Sequence, residues 1–331
     1  MKQGISQVFV LDPTYNANKK RAIEILDYIA NAAPNIFFHF ECRAEVMDKE
    51  LARAFSKINC CLQIGLQSCD ENVLAKVNRT FNKTEFVKKI AILNEVGLVF
   101  GFDLIYGLPG DTLHGFEQSV NFALSLYPNH LELFCLSVLP GTDLYDRFGE
   151  LHLTFEKTPP YHVIKTDKIS ENEIEKCRKL AESCNIFYSN GRGVSWFNSV
   201  LHFFKMNAVN FLVRFDDFLS LKFASDEKEK KSLLFCGHEQ IEKLQIEFIE
   251  KLLAEKNLKN YTDLICDIIK INGAYSRCYA DGKTSFLKLH YHPEDLLSEY
   301  SQNIRFFYQN AKKGKFNIHI KNGKNGVTWT F

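Results

Sequence analysis

Two repeating patterns of hydrophobic and polar positions alternate over the first 138 residues of the chain. Short apolar runs typical of strands are separated by segments with apolar residues every three or four positions, the spacing of one helix face. Five strands are predicted, at 8–11, 36–41, 60–65, 98–105 and 131–138. The helices between them are predicted at 18–30, 48–55, 82–97 and 112–126. Because a single helix between two strands makes a crossover connection, this order predicts an α/β fold with a parallel sheet or barrel.

The pattern changes after residue 150. We predict a first α/β domain at 1–150, a linker and helix at 151–195, and a mainly helical C-terminal domain at 196–331. The clearest helix of the last domain spans His238 to Glu255, with its apolar residues on one stripe. The chain is predicted to close with a β-hairpin, residues 318–320 facing 327–331 across two Asn-Gly turns.

Composition and charge exclude several classes of protein. The chain has 331 residues, 46% of them hydrophobic and 24% charged, which is typical of a soluble protein with a sizeable core. Its 41 basic and 40 acidic side chains give a net charge of +1, so neither a nucleic-acid partner nor an anionic membrane is indicated. The longest apolar run, 96–108, is interrupted by Asp103 and is too short to span a membrane.

Ten cysteines are spread along the chain without a Cys-x2-Cys pair or a disulfide-like spacing. Reduced thiols in a reducing compartment are the simplest interpretation of that usage. We therefore predict a cytoplasmic protein and no metal site made by these residues.

Polar side chains stand where two of the predicted strands end. In the stretch from Ile64 to Arg79, and again from Phe102 to Asp111, an apolar strand ends in a Gly-containing turn and leads into a helix. Parallel α/β proteins carry their chemistry at that edge of the sheet. Asp103 is the most informative position, because an ionised carboxylate inside an apolar strand is costly unless a donor hydrogen-bonds to it.

These stretches resemble radical S-adenosylmethionine (SAM) enzymes, particularly the coproporphyrinogen-dehydrogenase-like and cobalamin-dependent branches. The resemblance is carried by Gly65-Leu-Gln-Ser68, by Asn78-Arg79 and by Asp103-Leu-Ile-Tyr-Gly-Leu-Pro109. Residues 9–16 are similar to a segment of the cobalamin-dependent branch, and 187–192 to the opening of an uncharacterised C-terminal domain in one group of these proteins. The resemblance covers residues 8–192 and implies a TIM-like (β/α) barrel that lacks its first βα unit.

The resemblance also implies a set of SAM-binding residues, and it names no catalytic residue. Arg79 would meet the SAM carboxylate, since a guanidinium can make two parallel bonds to a carboxylate. Gln67 would bind ribose hydroxyls and Asp103 the adenosyl part. The remaining members are Glu41, in the second predicted strand, the turn residues Gly107, Leu108 and Pro109 beside the adenine, and Asp12 at the mouth of the barrel.

The Cys-x3-Cys-x2-Cys loop that holds the 4Fe–4S cluster of that family is absent from the sequence. The resemblance implies SAM, the cluster and cobalamin for an intact enzyme, and we expect that this chain alone binds neither the cluster nor cobalamin. The chain is then interpreted as the C-terminal portion of an enzyme for methyl transfer or rearrangement of an unknown substrate. The part that binds the cluster would precede residue 1 or belong to a separate polypeptide.

Other interpretations remain open. Taken singly, Gln67 and Ser68 can simply start the next helix, and Arg79 can be a surface cation near a helix end. The joint order of these residues on successive strands favours function. The chain can also be a non-catalytic remnant that serves as a binding or scaffolding module. An unrelated α/β-barrel enzyme acting through Asp12, Glu41 and Asp103 is the third hypothesis.

Overall fold

The structure is a computed structural model that describes residues 4–323 and 326–331, apart from the side chain of Glu227. The chain forms two units, Met1–Ala181 and Glu182–Phe331. The division falls inside the segment 151–195 that the sequence analysis assigned to a linker and helix.

The N-terminal unit alternates strands and helices as the hydrophobic pattern predicts. Its strands are β1 (Gln7–Val10), β2 (Phe37–Cys42), β3 (Cys60–Gln67), β4 (Val99–Tyr106), β5 (His130–Cys135), β6 (Thr154–Phe155) and β7 (Val163–Lys165). Its helices are α1 (Lys19–Ala32), α2 (Lys49–Phe55), α3 (Glu71–Lys76), α4 (Lys83–Glu95), α5 (Leu113–Ser125), α6 (Asp143–Asp146) and α7 (Glu171–Cys184), the last of which continues past Ala181.

The first five strands form one parallel sheet in the order β1-β2-β3-β4-β5. The predicted α/β fold with a parallel sheet is thus confirmed. Within the described residues β1 and β5 are the edge strands, and the short pair β6–β7 is antiparallel. Strand boundaries differ from the predicted ones by up to three residues. The largest difference is at the end of β5, because Leu136 and Val138 beyond it are apolar and buried.

The two faces of this sheet differ in chemistry. Side chains of a strand point alternately to the two faces. Even-numbered positions on β2, β3 and β4, such as Phe40, Ile64 and Phe102, are buried. Their rings contact helix side chains, including Phe40 with Phe55 of α2 and Phe102 with Phe86 of α4. Odd-numbered positions form the other face, which we call the inner face, and many of them are polar.

Side-chain caps explain where several helices begin. The side chains of Asp48, Asp70 and Thr112 accept hydrogen bonds from backbone N–H groups in the first turns of α2, α3 and α5. Asn82 caps α4 in the same way. The sequence Asn82-Lys-Thr-Glu85 has the side chains of a capping box, but the box is only half formed, because the Glu85 carboxylate pairs with Lys88.

The C-terminal unit is mainly helical. It begins with a π-helical segment, Asn185–Asn190, followed by α8 (Phe197–Phe204), α9 (Ala208–Lys222), α10 (Glu227–Ser232), α11 (His238–Glu255), α12 (Thr262–Asp281), α13 (Pro293–Leu297) and α14 (Ile304–Asn310). Phe187 is fully buried and its ring contacts Trp196, Phe211, Phe215 and Phe248. The predicted helix 238–255 has the bounds of α11.

The antiparallel sheet of this unit has three strands, β8 (Ser285–Leu289), β9 (Phe316–Gly323) and β10 (Gly326–Thr330), in the order β10-β9-β8. The predicted hairpin is β9–β10, with Ile320 opposite Trp329. The first predicted Asn-Gly turn is wrong, because Asn322 and Gly323 still belong to β9. Lys324 and Asn325 lie outside the described residues, and β8 was not predicted.

No helix in the described part of the chain is long and apolar enough to cross a membrane. No disulfide joins any of the ten cysteines, all of which lie within the described residues.

Candidate functional site

Gln67 is the last residue of β3, where the pairing of β3 with β4 becomes irregular. The register between β3 and β4 shifts between Gly65 and Gln67. The Ser68 N–H donates to the Leu66 carbonyl at 2.8 Å, which closes a three-residue turn around Gln67, whose φ is 66°. Turns of this kind with positive φ are rare and strained, and backbone strain clusters at functional sites. The helix that follows is capped by Asp70, so Gln67 does not serve as its first residue.

Arg79 is brought back to β3 by the end of α3. Asn78 has a left-handed backbone with φ 57°. The N–H groups of Asn78 and Arg79 donate to the carbonyls of Ala75 and Leu74, the two bonds of a Schellman helix end. This end reverses the chain, and Arg79 Nη1 then donates to the Gly65 carbonyl at 3.3 Å. Burial of the guanidinium is the main reason that the pKa of Arg79 is lowered, and the nearby positive charge of Arg43 lowers it further.

Gln67 and Arg79 both approach Gly65. A Cβ atom built on Gly65 would lie 2.8 Å from Gln67 Nε2 and 3.5 Å from Arg79 Nη2. Gly65 is the register partner of Asp103 on β4, and Arg79 lies close enough to lower the pKa of Asp103. Three of the predicted SAM-binding residues therefore surround one glycine. The absence of a side chain at Gly65 leaves the space in which they meet.

Asp103 is a partly buried carboxylate on the inner face. Burial raises its pKa to about 6, and the nearby carboxylates of Glu132 and Glu41 raise it too. The Gln63 side chain donates a hydrogen bond to Asp103 Oδ1 and opposes that rise. The carboxylate is therefore poised to change its charge close to neutral pH, unlike an exposed aspartate.

A cavity of about 320 Å³ opens on the inner face. Its polar lining includes Glu41, Gln63, Asp103 and Glu132. Apolar lining residues from β1 and β5 include Phe9 and Phe134, which are 66% and 49% exposed. Of the predicted residues, Glu41 and Asp103 line this cavity, whereas Gln67 and Arg79, which meet at Gly65, are not lining residues.

Gln63, His130 and Glu132 were not singled out from the sequence. They lie on β3 and β5 with the same orientation as Asp103. His130 Nε2 is 2.5 Å from Gln63 Oε1. Burial lowers the pKa of His130 to about 4 and raises that of Glu132. The available signal was two polar residues on one face of each of two otherwise apolar strands, Gln63 and Gln67 on β3 and His130 and Glu132 on β5. Strand register was needed to show that Gln63, His130 and Glu132 meet.

The other predicted residues are placed differently. Leu108 is buried in an apolar cluster with Val163 and Phe155, and Gly107 has φ 83° in the turn beside that cluster. Pro109 is buried in the same turn. Asp12 forms an ion pair with Arg21 of α1 at 2.8 Å and is not a lining residue of the cavity.

One part of the chain is similar to a known protein family. Residues 2–123 match the family described as the Radical SAM superfamily. The match covers less than half of the chain and shows a similarity of these residues to that superfamily. The match spans β1 to α5 and therefore includes Glu41, Gln67, Arg79 and Asp103. Use of SAM and a 4Fe–4S cluster is what that superfamily implies.

Two curated relatives match parts of the chain. The heme chaperone HemW of Bacillus subtilis is 35% identical over 95 residues, 28% of this chain and 25% of that protein. An uncharacterized methyltransferase of Pyrococcus horikoshii, PH0819, is 24% identical over 144 residues, 43% of this chain and 31% of that protein. The chain thus spans about a quarter to a third of the length of these relatives.

Solved structures with a similar backbone include two cobalamin-containing proteins. The radical SAM methyltransferase TsrM of Kitasatospora setae, with cobalamin and a [4Fe-4S] cluster bound, has a TM-score of 0.42 and 18% identity, covering 53% of this chain and 38% of TsrM. The cobalamin-dependent SAM radical enzyme OxsB has a TM-score of 0.40 and 11% identity, covering 93% of this chain and 52% of OxsB.

The donors in the described residues do not fit an iron–sulfur cluster. Such a cluster needs several thiolates within reach of one another. In residues 4–323 and 326–331, no group of three or more His, Cys, Asp or Glu side chains is arranged to hold a metal ion. Burial raises the pKa of Cys60 and Cys61 to about 12, so both thiols keep their protons at neutral pH.

Proposed function

We propose that the inner face of the parallel sheet is the SAM-binding part of a radical SAM enzyme. The observation that carries the proposal is the convergence of Gln67 and Arg79 on Gly65, whose register partner is Asp103. An amide, a guanidinium and a carboxylate match the ribose, carboxylate and adenosyl groups of one SAM molecule.

Each group has one task in this proposal. Arg79 keeps donors for the SAM carboxylate after Nη1 has bonded to the Gly65 carbonyl. The ionised Asp103 carboxylate accepts hydrogen bonds from the nucleoside, and the Gln67 side chain makes hydrogen bonds to the ribose hydroxyls. The Glu41 carboxylate lines the same cavity and suits the cationic groups of SAM.

The proposal takes the five-stranded parallel sheet as part of the (β/α) barrel of this superfamily. The cluster ligands would come from residues outside this chain, either preceding it or in another polypeptide. Two features support a cobalamin-type enzyme for methyl transfer or rearrangement: the similarity of residues 9–16 and 187–192 to that branch, and the partial match to a relative named as a methyltransferase.

Isothermal calorimetry with SAM tests the binding site in the full chain. We expect weak but saturable binding that falls by at least about tenfold in Arg79→Ala and in Asp103→Ala, since each removes a charge-assisted contact. Arg147→Ala and Asp27→Ala are the matched controls. Those side chains form ion pairs with Glu150 and Lys57 away from the cavity, and they should leave the affinity unchanged.

Two results would overturn the proposal. Absence of binding by the wild-type chain at millimolar SAM would favour the second hypothesis, a non-catalytic module. Equal affinities in the wild type, Arg79→Ala and Asp103→Ala would remove the site. Anaerobic reconstitution with iron and sulfide is expected to leave the purified chain without a stoichiometric cluster; a cluster that cleaves SAM would contradict the assignment of its ligands to other residues.

A further inference from the structure

Gln63, Gly101 and His130 lie in one row across the inner face, on three neighbouring strands. Gln63 is the register partner of Gly101, and Gly101 is the partner of His130. The His130 ring reaches over β4, and its Nε2 lies 2.5 Å from Gln63 Oε1. Gln63 Nε2 donates in turn to Asp103, the next inner-face residue after Gly101. A continuous path of hydrogen bonds therefore links His130 to Asp103.

The direction of these bonds is fixed by the carboxylate. An ionised carboxylate only accepts hydrogen bonds, so Gln63 must present its amide N–H to Asp103. Its Oε1 is then left to accept, and the donor is the Nε2–H of His130. Because burial, with a smaller effect of His39, lowers the pKa of His130 to about 4, the ring is neutral at physiological pH. The bond to Gln63 selects its Nε2–H tautomer.

Gly101 provides the space for this arrangement. A Cβ atom built on Gly101 would lie 2.1 to 2.4 Å from three ring atoms of His130, which no real contact allows. The φ of Gly101 is outside the left-handed region, so backbone conformation does not require glycine here. Space for the imidazole is the physical reason for a glycine in the middle of a buried strand.

Asp103 needs a fixed donor because of the charges around it. Glu132 of β5 and Glu41 of β2 face it and raise its pKa, and Arg79 lowers it. Between two carboxylates and one guanidinium, a free Asp103 side chain would turn towards Arg79. A Gln63 amide held at its oxygen by His130 keeps the carboxylate on the cavity side instead.

We propose that His130 is a positioning residue that acts on Asp103 through Gln63, and that Gly101 is required to admit its ring. The proposal rests on the proposed function only where it links the orientation of Asp103 to SAM affinity. The hydrogen-bonded path itself is testable without any ligand.

Carbon-13 NMR of the labelled Asp103 carboxyl in the full chain tests the path, with Asp103→Asn identifying the signal. The wild type should titrate with a midpoint at about 6. His130→Leu and Gly101→Ala should both move the midpoint upwards by about half a unit or more, because a mobile Gln63 donates less well. His130→Gln keeps a donor at the position of Nε2 and should titrate like the wild type.

Gly149→Ala is the matched control for Gly101→Ala, since a Cβ at Gly149 meets no atom within 4 Å. It should leave the titration unchanged. Equal midpoints in the wild type, His130→Leu and Gly101→Ala would overturn the proposal. If thermal melting shows that Gly101→Ala does not fold, the proposal is tested by comparing the Asp103 midpoints of His130→Leu and His130→Gln; equal midpoints in these two variants would overturn it.

SAM calorimetry of the same variants separates the two proposals. We expect affinity to fall by about threefold or more in His130→Leu and Gly101→Ala and to stay near the wild type in His130→Gln. If the wild type binds no SAM, the proposed function is wrong. The titration of Asp103 would still test the hydrogen-bonded path from His130 to Asp103. Shifted titrations with unchanged SAM affinity would overturn the positioning role.

Discussion

Arg79 donates to the carbonyl of Gly65 across 3.3 Å, although a helix and two turns separate the two residues in the chain. The bond joins the Asn-Arg and Gly-x-Gln motifs of the sequence into one structure. It depends on the left-handed backbone of Asn78, which reverses the chain at the end of α3.

Asn78→Ala should destabilise the protein by about 1 kcal/mol, because a Cβ-bearing residue other than Asn or Asp is costly at φ 57°. Asn78→Gly should be neutral or slightly stabilising. Urea unfolding of both variants measures the difference. SAM calorimetry should show a weaker affinity in Asn78→Ala than in Asn78→Gly, and an Ala variant equal to Gly in both measurements would show that Arg79 is held by other means.

Asp103→Asn should stabilise the fold at neutral pH. The folded pKa is raised from 3.8 to about 6, so between these values the unfolded chain has lost a proton that the folded chain retains, and stability falls as pH rises. The ionised Asp103 therefore lowers the free energy of unfolding by its full amount above about pH 6 and has no effect on it below about pH 4. Asparagine at position 103 removes this destabilisation, and its Oδ1 still accepts the hydrogen bond from Gln63. The free energy of unfolding should therefore rise by about 2 kcal/mol at pH 7.5.

Urea unfolding across this pH range measures that gain. Asp27→Asn is the control, because Asp27 is an exposed carboxylate paired with Lys57. A gain for Asp103→Asn that is the same at about pH 4 and about pH 7.5 would contradict the raised pKa.

Arg277→Ala should destabilise the C-terminal unit by about 3 kcal/mol, because it leaves the Glu242 carboxylate buried without its partner. The Arg277 and Glu242 side chains are only 5% and 13% exposed, and Nη1 of Arg277 lies 2.6 Å from Glu242. The same guanidinium also donates to His238 Nδ1 at 2.9 Å. Denaturation followed by tryptophan fluorescence measures the loss, because Trp196 and Trp329 both belong to this unit.

The double variant Arg277→Met with Glu242→Leu should recover most of that stability, because it removes both charges and fills the same volume. A double variant as unstable as Arg277→Ala would instead assign the loss to packing.

Lys205→Gly should stabilise the protein by up to about 1 kcal/mol. Lys205 is exposed at the end of α8 with φ 53°, a conformation that glycine adopts without steric cost. Thermal melting checks the gain. Lys205→Ala removes the charge and keeps the strain, so it should show no gain; equal stabilisation by Ala and Gly would point to the charge and away from the backbone.

Sequence patterns were sufficient to predict the parallel sheet, whereas the roles of the motif residues stay predictions. β3 and β4 are largely apolar runs, and the helices that follow them, α3 and α5, begin at the capping residues Asp70 and Thr112, which are local signals. The path from His130 to Asp103 was not predictable, because it depends on which residues of β3, β4 and β5 lie opposite one another. The strained φ of Gln67 depends equally on the register shift between two strands.

In the C-terminal unit, α12 was missed because it has no single apolar stripe. Its buried positions include six of the seven residues from Leu264 to Lys270, on every side of the helix. β8 was missed for a related reason. Phe286 on its outer side is 81% exposed and Leu289 is buried, so its apolar residues do not alternate cleanly, and its partner β9 is distant in sequence.

The glycine at position 101 has a consequence for relatives of this chain. If the imidazole of residue 130 is the reason for that glycine, the two positions should change together during evolution. Homologues with a small side chain at the position of His130 would be free to carry alanine or serine at the position of Gly101, whereas homologues that retain histidine would not. Such paired substitutions would divide relatives of this chain into two groups by two residues alone.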